Sequence, residues 1–265
     1  MSVLAIGRDK TPLSHHISDP ALIIDDGIFI DTLDLSGHAH VTVFDPAEHS
    51  FNPISDMYDT KADAFLEVLD AAFPQGQTTL TSRYSNHLIF KALLANKPRL
   101  EALIQPPKDN KDIYQKDAYE KIERLLLYRV LERVLNRGTR LSFTGTIVMR
   151  LDPSLLGDRV CFVLANMAIN QYPGQVVITD FGRYAIPAHR QLITQGRLLA
   201  GVNFFDELTD EMKNALLAGT TKETRIPSLC NPDDAAELAV HAGHPRGSEG
   251  HTTYIDLAIK RAPPA

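Results

Sequence analysis

The sequence predicts an α/β fold, a mainly parallel sheet flanked by helices, with a helical insertion. Three observations carry this. From Phe143 onward, strand-like and helix-like runs alternate at the spacing of βαβ units. One of those runs, QVVITD, is an apolar stretch that ends in an acid, Asp180. Between residues 60 and 140 the apolar residues recur with helical spacing. The chain therefore divides into N-terminal strands of the core (1–59), a helical insertion (60–140) and the C-terminal half of the core (141–265).

The elements follow in order. SVLAIG, ALIIDDGIFID and HVTVFDP read as short strands. Asp26-Gly27 is the dipeptide of a tight hairpin turn, which predicts that ALIID and IFID pair with each other. Thr60 to Phe73 reads as a helix with Phe65, Leu66, Leu69 and Phe73 on one side, and Thr79 to Leu94 as a second. The polar, proline-led stretch 106–117 reads as an exposed loop or a boundary between subdomains. A long helix from Ala118 to Arg137 follows, with Ile122, Leu126, Val130 and Val134 at i, i+4 spacing and Gly138 as its stop. TIVMRL is a strand, and Asp152-Pro153 turns the chain into a helix running to Gln171. After QVVITD come a helix from Pro187 to Gln195, the strand LLAGVNFF and a helix capped by Thr209. The short strand TKETRIP leads to a helix capped by Asn231 and stopped by Gly243.

Bulk properties exclude several classes. The 265 residues are 44 % hydrophobic and 23 % charged, the profile of an ordinary globular core. A net charge of −6 argues against broad, nonspecific nucleic-acid binding, although a local basic groove is compatible with it. Two cysteines, Cys161 and Cys230, make no disulfide framework and suit a reducing compartment. No apolar run reaches the roughly 18 residues of a membrane span, and no secretory leader opens the chain, so the expectation is a soluble, cytoplasmic protein with no membrane insertion.

Asp180 is the residue that invites a function. Followed by Phe181 and Gly182, it has three readings. It is the D-F-G aspartate of a kinase, the Mg²⁺-holding aspartate of a Walker B strand, or a polar residue that ends a buried strand. The kinase reading fails. The chain has no G-x-G-x-x-G loop and no V-A-I-K strand, and its one His-Arg pair, His189-Arg190, lies downstream of Asp180. The Walker B reading gains from position, because open α/β sheets bind ligands outside the carboxyl ends of their strands.

The segment from Phe143 to Val202, containing IVMRLDPSLLGD, QVVITDF and TQGRLLAG, resembles the back half of a RecA-like motor core. It is similar to the HerA/FtsK group and, within it, to the coupling-protein (TraG/TraD-type) ATPases of conjugation and type IV secretion. VTVFDPAEHSFNPI and the stretch from Met212 to Gly243 resemble further pieces of that group in the same order. The resemblance covers about two-thirds of the chain. It implies a RecA-like fold, ATP and Mg²⁺ as the cofactors in question, and a homo-oligomer or larger DNA-processing complex as the setting. It assigns Asp180 to the nucleotide or Mg²⁺ site, Arg197 to the position of an arginine finger, and Asn203, with Asp206 as the alternative, to the polar position at the end of the next strand.

The departures from the family are chemical. A phosphate loop needs G-x-x-x-x-G-K-[ST], and none is present. Gly7-Arg8-Asp9-Lys10-Thr11 is too short to wrap a phosphate, and Pro12 removes an N–H. Phe181 stands where the family has the glutamate that polarises water, so the general base is missing from that position. The resulting expectation is an ATPase-like, non-hydrolysing protein associated with a DNA-transfer or mobile-element machine. The alternatives are an active ATPase with an atypical phosphate loop, or an interaction module with no nucleotide ligand. For Arg197 the plain alternative is a solvated arginine at a helix end.

Other constellations are weaker. Arg129, Arg133 and Arg137, with Arg124 and Arg140, form the one basic stripe that suits DNA or another anion, and Glu123 and Glu132 interrupt it. His241, His244 and His251 lie near one another without the cysteine or paired carboxylate that completes a zinc set, so no metal is assigned. Cys161 sits in an apolar helix, as a buried inert thiol does.

Overall fold

The computed structural model describes residues 2–27, 29–74, 79–95, 99–108, 112–136 and 139–260. In chain order the elements begin with β1 (Val3–Ile6), a 3-10 turn (Thr11–His16), β2 (Ala21–Asp25), a 3-10 turn (Ile30–Thr32), β3 (Val41–Phe44) and β4 (His49–Ser50). Next come α1 (Asp59–Ala72), α2 (Thr79–Leu94), α3 (Ile113–Leu126), α4 (Arg129–Asn136), β5 (Thr139–Arg140), β6 (Thr146–Arg150), α5 (Pro153–Leu156) and α6 (Asp158–Gln171). The last stretch holds β7 (Gln175–Ile178), α7 (Phe181–Tyr184), α8 (His189–Thr194), β8 (Leu198–Val202), α9 (Asp210–Gly219), β9 (Arg225–Pro227), α10 (Pro232–His241) and α11 (Glu249–Lys260).

The chain forms two compact units: Met1–Val43, Thr144–Leu151 and Pro173–Ala265 make one, and Phe44–Phe143 with Asp152–Tyr172 make the other. The sequence division draws its boundaries elsewhere. It places residues 44–59 with the N-terminal strands and the helix ending at Gln171 with the C-terminal half of the core, whereas both group with the helical unit.

The first unit is built on a seven-stranded sheet in the order β3-β6-β2-β7-β8-β1-β9. β1 lies parallel to both β8 and β9, and β2 parallel to both β6 and β7. β2 and β8 are buried along their whole length, as central strands covered on both faces must be. Val3, Ala5, Ile23, Val148, Val177 and Leu199 share a core cluster with Leu13 and Phe29 from the loops that follow β1 and β2. Thr209 and Asn231 cap α9 and α10 as their side-chain types predict, accepting from Met212 N and Asp234 N.

The expected hairpin does not form. β2 has parallel partners on both sides, so no strand can fold back against it at Asp26-Gly27. Instead the Asp25 carboxylate turns inward and accepts from the Gly27 and Ile30 amides at 2.8 and 3.0 Å. Gly27 serves this sharper turn with φ +117°, a conformation open to glycine. α11 and the two-stranded β4–β5 sheet are elements the sequence reading does not contain.

In the second unit α1 packs on α2 and α6, and α2 packs on α3. A buried ammonium ties three of these helices together. Lys121 Nζ, on α3, donates to Asp70 Oδ1 on α1 at 3.1 Å, and to Ser82 Oγ and Asn86 Oδ1 on α2 at 3.0 and 2.7 Å. Asn86 Nδ2 closes the loop onto Asp70 Oδ2 at 2.7 Å. The long helix expected over 118–137 is two helices. α3 starts earlier, with Asp112 as its cap accepting from Gln115 N, and the chain breaks at Leu127-Tyr128 before α4. Gly138 lies outside the described residues. Cys161 and Cys230 are both buried thiols outside any disulfide. Among the described residues, no helix is long and apolar enough to cross a membrane.

Candidate nucleotide-type site at the carboxyl edge of the sheet

Strand order fixes where a site belongs. After β1 the chain crosses to β2 on one side of the sheet, and after β8 it crosses to β9 on the other. Loops that leave neighbouring strands in opposite directions open a crevice at their carboxyl ends. The crevice is present. Arg8, Asp9, Lys10 and Thr11 line it from the loop after β1, Asp25 and Asp26 from the end of β2, Thr179 and Asp180 from the end of β7, and Asn203 from the end of β8. It encloses about 180 Å³.

Asp180 is half-buried at the point where β7 gives way to α7. Arg183 Nε lies 3.1 Å from its Oδ2, one helical turn on, and Asn203 Nδ2 donates to its Oδ1 at 3.5 Å. Burial pushes the Asp180 carboxyl above its ordinary range. The negative charge of Asp26 adds to this, while Arg183 and Lys10 oppose it. Beside it, Thr179 Oγ1 donates to Asp25 Oδ1. With the Gly27 and Ile30 amides on the other oxygen, the buried Asp25 carboxylate is fully engaged in shaping the turn.

Lys10, whose loop is too short to wrap a phosphate, is nonetheless held tightly in the crevice. It is 8 % exposed, and its Nζ donates to the Gly7 carbonyl and, at 2.7 Å, to the Val202 carbonyl. Burial pushes its amine down to about 8 against the pull of Asp180 and Glu207. The sequence reading missed Glu207. It comes from the 3-10 turn after β8 and reaches the Asp180 neighbourhood because Gly182 has no side chain: a Cβ there would lie 2.8 Å from Glu207 Oε2. Burial and the charge of Asp180 raise the Glu207 carboxyl. The one hint in the sequence is Gly182 itself, since the carboxylate lies 27 positions after Asp180 and on another strand's loop.

The remaining candidates lie elsewhere. Arg197 precedes β8, so it sits at the amino end of the strand whose carboxyl end carries Asn203. Its Nε donates to the Gly174 carbonyl at 3.0 Å and its Nη1 to Gln195 Oε1 at 3.0 Å. Asp206 is exposed and does not line the crevice. Arg129 and Arg133 are exposed one turn apart on α4, and Arg137 lies outside the described residues. His244 packs against the Tyr254 ring at 5.7 Å. Among the described residues, no group of three or more His, Cys, Asp or Glu is arranged to hold a metal ion.

The fold recurs in solved proteins. The fold is that of the plasmid coupling protein TrwB. A TrwB structure with ADP and Mg²⁺ superimposes with a TM-score of 0.52 at 14 % identity, covering 89 % of this chain and 74 % of TrwB. An unbound form, titled a bacterial conjugative coupling protein, gives 0.51 at 14 % over 82 % of this chain and 66 % of TrwB. A complex with a non-hydrolysable GTP analogue gives 0.51 at 14 %, with 89 and 73 % covered. This chain thus spans about two-thirds to three-quarters of the TrwB chains, and at that identity the likeness is one of fold. No protein-family model and no curated protein matches the sequence.

The crevice can be tested against the ligand such a fold implies. Pockets for ligands of nucleotide size enclose roughly 300 to 1,000 Å³, and this one encloses about 180 Å³. A phosphate cradle is a run of free amides leading into a helix N-terminus. Here the loop is followed by a six-residue 3-10 turn with Pro12 near its start. The lysine that would reach a phosphate is already bonded to two carbonyls. These residues do not fit a nucleoside triphosphate.

Proposed function

We propose that this chain is a motor-fold subunit without hydrolytic activity, acting as an ATPase-like component of a DNA-transfer or mobile-element machine. The observation that carries the reading is the closed loop after β1. Lys10 is held on the Gly7 and Val202 carbonyls, and the space in front of it is too small for a nucleotide. The loss of a phosphate cradle removes most of the binding in this class of site, and the loss of a water-orienting group removes orders of magnitude in rate.

The setting is argued from the TrwB-like fold and from α4. Arg129 and Arg133 present two exposed guanidinium groups on one helical face, a geometry suited to phosphate oxygens. In this reading the end of the molecule carrying Arg197 contributes to contacts between copies of the chain.

The test is calorimetric titration of Mg²⁺-ATP into the wild-type chain and Asp180→Asn, together with sedimentation and binding of labelled duplex DNA. The expected result is no heat up to millimolar ATP, with DNA-dependent assembly. Micromolar binding that disappears in Asp180→Asn would overturn the reading in favour of an active ATPase with an atypical phosphate loop. The convergence of Lys10, Asp180 and Asn203 on one crevice is the observation that favours that alternative. A monomer silent to both ligands would leave an interaction module.

A further inference from the structure

The crevice already contains a hydrogen-bond donor, and that donor belongs to the chain. The Val202 carbonyl accepts twice, from the Gly7 amide at 2.9 Å and from Lys10 Nζ at 2.7 Å. The Gly7 carbonyl takes a second Nζ–H. The ends of β1 and β8 are thereby fastened together by the side chain of the fourth residue in the loop that leaves β1.

Two glycines make this path possible. A Cβ on Gly201 would lie 2.8 and 3.0 Å from Lys10 Cδ and Cε, so the lysine stem runs across β8 where a side chain is missing. Gly7 has φ +111°, and a Cβ there would come within 1.8 Å of the Ser228 carbonyl oxygen. Both positions exclude any other residue in this backbone.

The charges around the amine are those of Asp9 on its own loop, Asp180 after β7 and Glu207 after β8, with the Cys230 thiol after β9. These favour a donor group and disfavour an anion, while Arg8, which also lines the crevice, acts in the opposite sense. Burial lowers the amine to about 8. Protonated or neutral, it has at least two N–H bonds for its two carbonyls.

We propose that Lys10 is an intramolecular ligand: its amine caps the Gly7 and Val202 carbonyls, closes the loop after β1, and makes the crevice a site for a small primary amine and not for a phosphate. This deepens the reading of a closed nucleotide site and rests on it. It gives the lysine a role in a loop that cannot cradle phosphate.

Chemical rescue tests it. Lys10→Ala removes the amine and leaves both carbonyls facing a small cavity. Its Tm is expected to fall by about 5 °C or more. Methylammonium is expected to restore part of the loss, where sodium at equal ionic strength and inorganic phosphate do not. The wild-type chain responds to none of the three. A variant that melts with the wild type, an absence of rescue by methylammonium, or stabilisation of the wild type by phosphate overturns the proposal.

If Lys10→Ala fails to fold, native-state reductive methylation of the wild-type chain decides the matter. Lys10 should resist dimethylation while exposed lysines react, and labelling at the pace of the exposed lysines overturns the proposal. Amine rescue reports on the lysine alone and Mg²⁺-ATP calorimetry on the nucleotide, so the two readings fail separately.

Discussion

His189 gives the chain an acid limb whose size can be worked out. The ring lies 5.6 Å from Phe181, the residue that follows Asp180, and is 3 % exposed. Its Nδ1 accepts weakly from the Ile186 amide at 3.4 Å, and its Nε2 is buried without a partner. Burial pushes the imidazole down to about 3 from 6.5. As pH falls below 6.5 the unfolded chain takes up a proton that the folded chain refuses. Stability therefore declines through this window and is fully present above it. With these two values the loss at pH 5 is about 2 kcal/mol, and it reaches about 4 kcal/mol by pH 3. Urea unfolding at pH 7.5 and pH 5 reads it directly. His189→Leu keeps the apolar contact with Phe181 and cannot titrate. It should lose about 2 kcal/mol less than the wild type between the two pH values, whatever its stability at pH 7.5. Parallel pH profiles for the two proteins would refute the claim that this histidine is held neutral by burial.

Three further outcomes are expected. Lys10 has a folded pKa of about 8 against 10.5, so between these values the unfolded chain binds more protons. Wild-type stability should then rise with pH relative to Lys10→Met, by up to about 3 kcal/mol, in matched urea titrations. Lys121→Met removes three hydrogen bonds that join α1, α2 and α3. It should cost about 1 to 3 kcal/mol, and hydrogen exchange should show the loss concentrated in those helices. If α4 contacts DNA, Arg129→Glu with Arg133→Glu should weaken duplex binding and lower the slope of log K against log salt by about 2. An unchanged slope would remove α4 from any DNA-binding face.

Much of the fold was legible because its central strands are continuous apolar runs with no alternative use. QVVITD and LLAGV became β7 and β8, with Asp180 and Asn203 at their carboxyl ends. Caps with a local mechanism, Thr209 and Asn231, were legible for the same reason. Asp26-Gly27 misled because a glycine that accepts positive φ is common to a hairpin and to the sharper turn that Asp25 organises. The choice between them depends on Thr179, which is 154 residues away. The break at Leu127-Tyr128 was hidden by apolar spacing that runs through it without a glycine or proline. Glu207 and Lys10 were illegible as site residues. What brings them together is the absence of a side chain at Gly182 and Gly201, and an absence is read only once the backbones are placed.

The place of β1 in the sheet has a consequence for how the molecule is made. Val3 pairs with Leu199, and Leu4 with Arg225 on the other side. β1 therefore has no hydrogen-bonding neighbour until some two hundred residues have followed it out of the ribosome. At synthesis rates of roughly 5 to 20 residues per second, VLAI waits for about 10 to 40 seconds, apolar and unpaired. Closing so long a loop is slow relative to local helix formation, so the helical unit has time to assemble while β1 is still exposed. Nascent chains of this protein should accordingly bind chaperones through β1 and release them only when β8 has emerged.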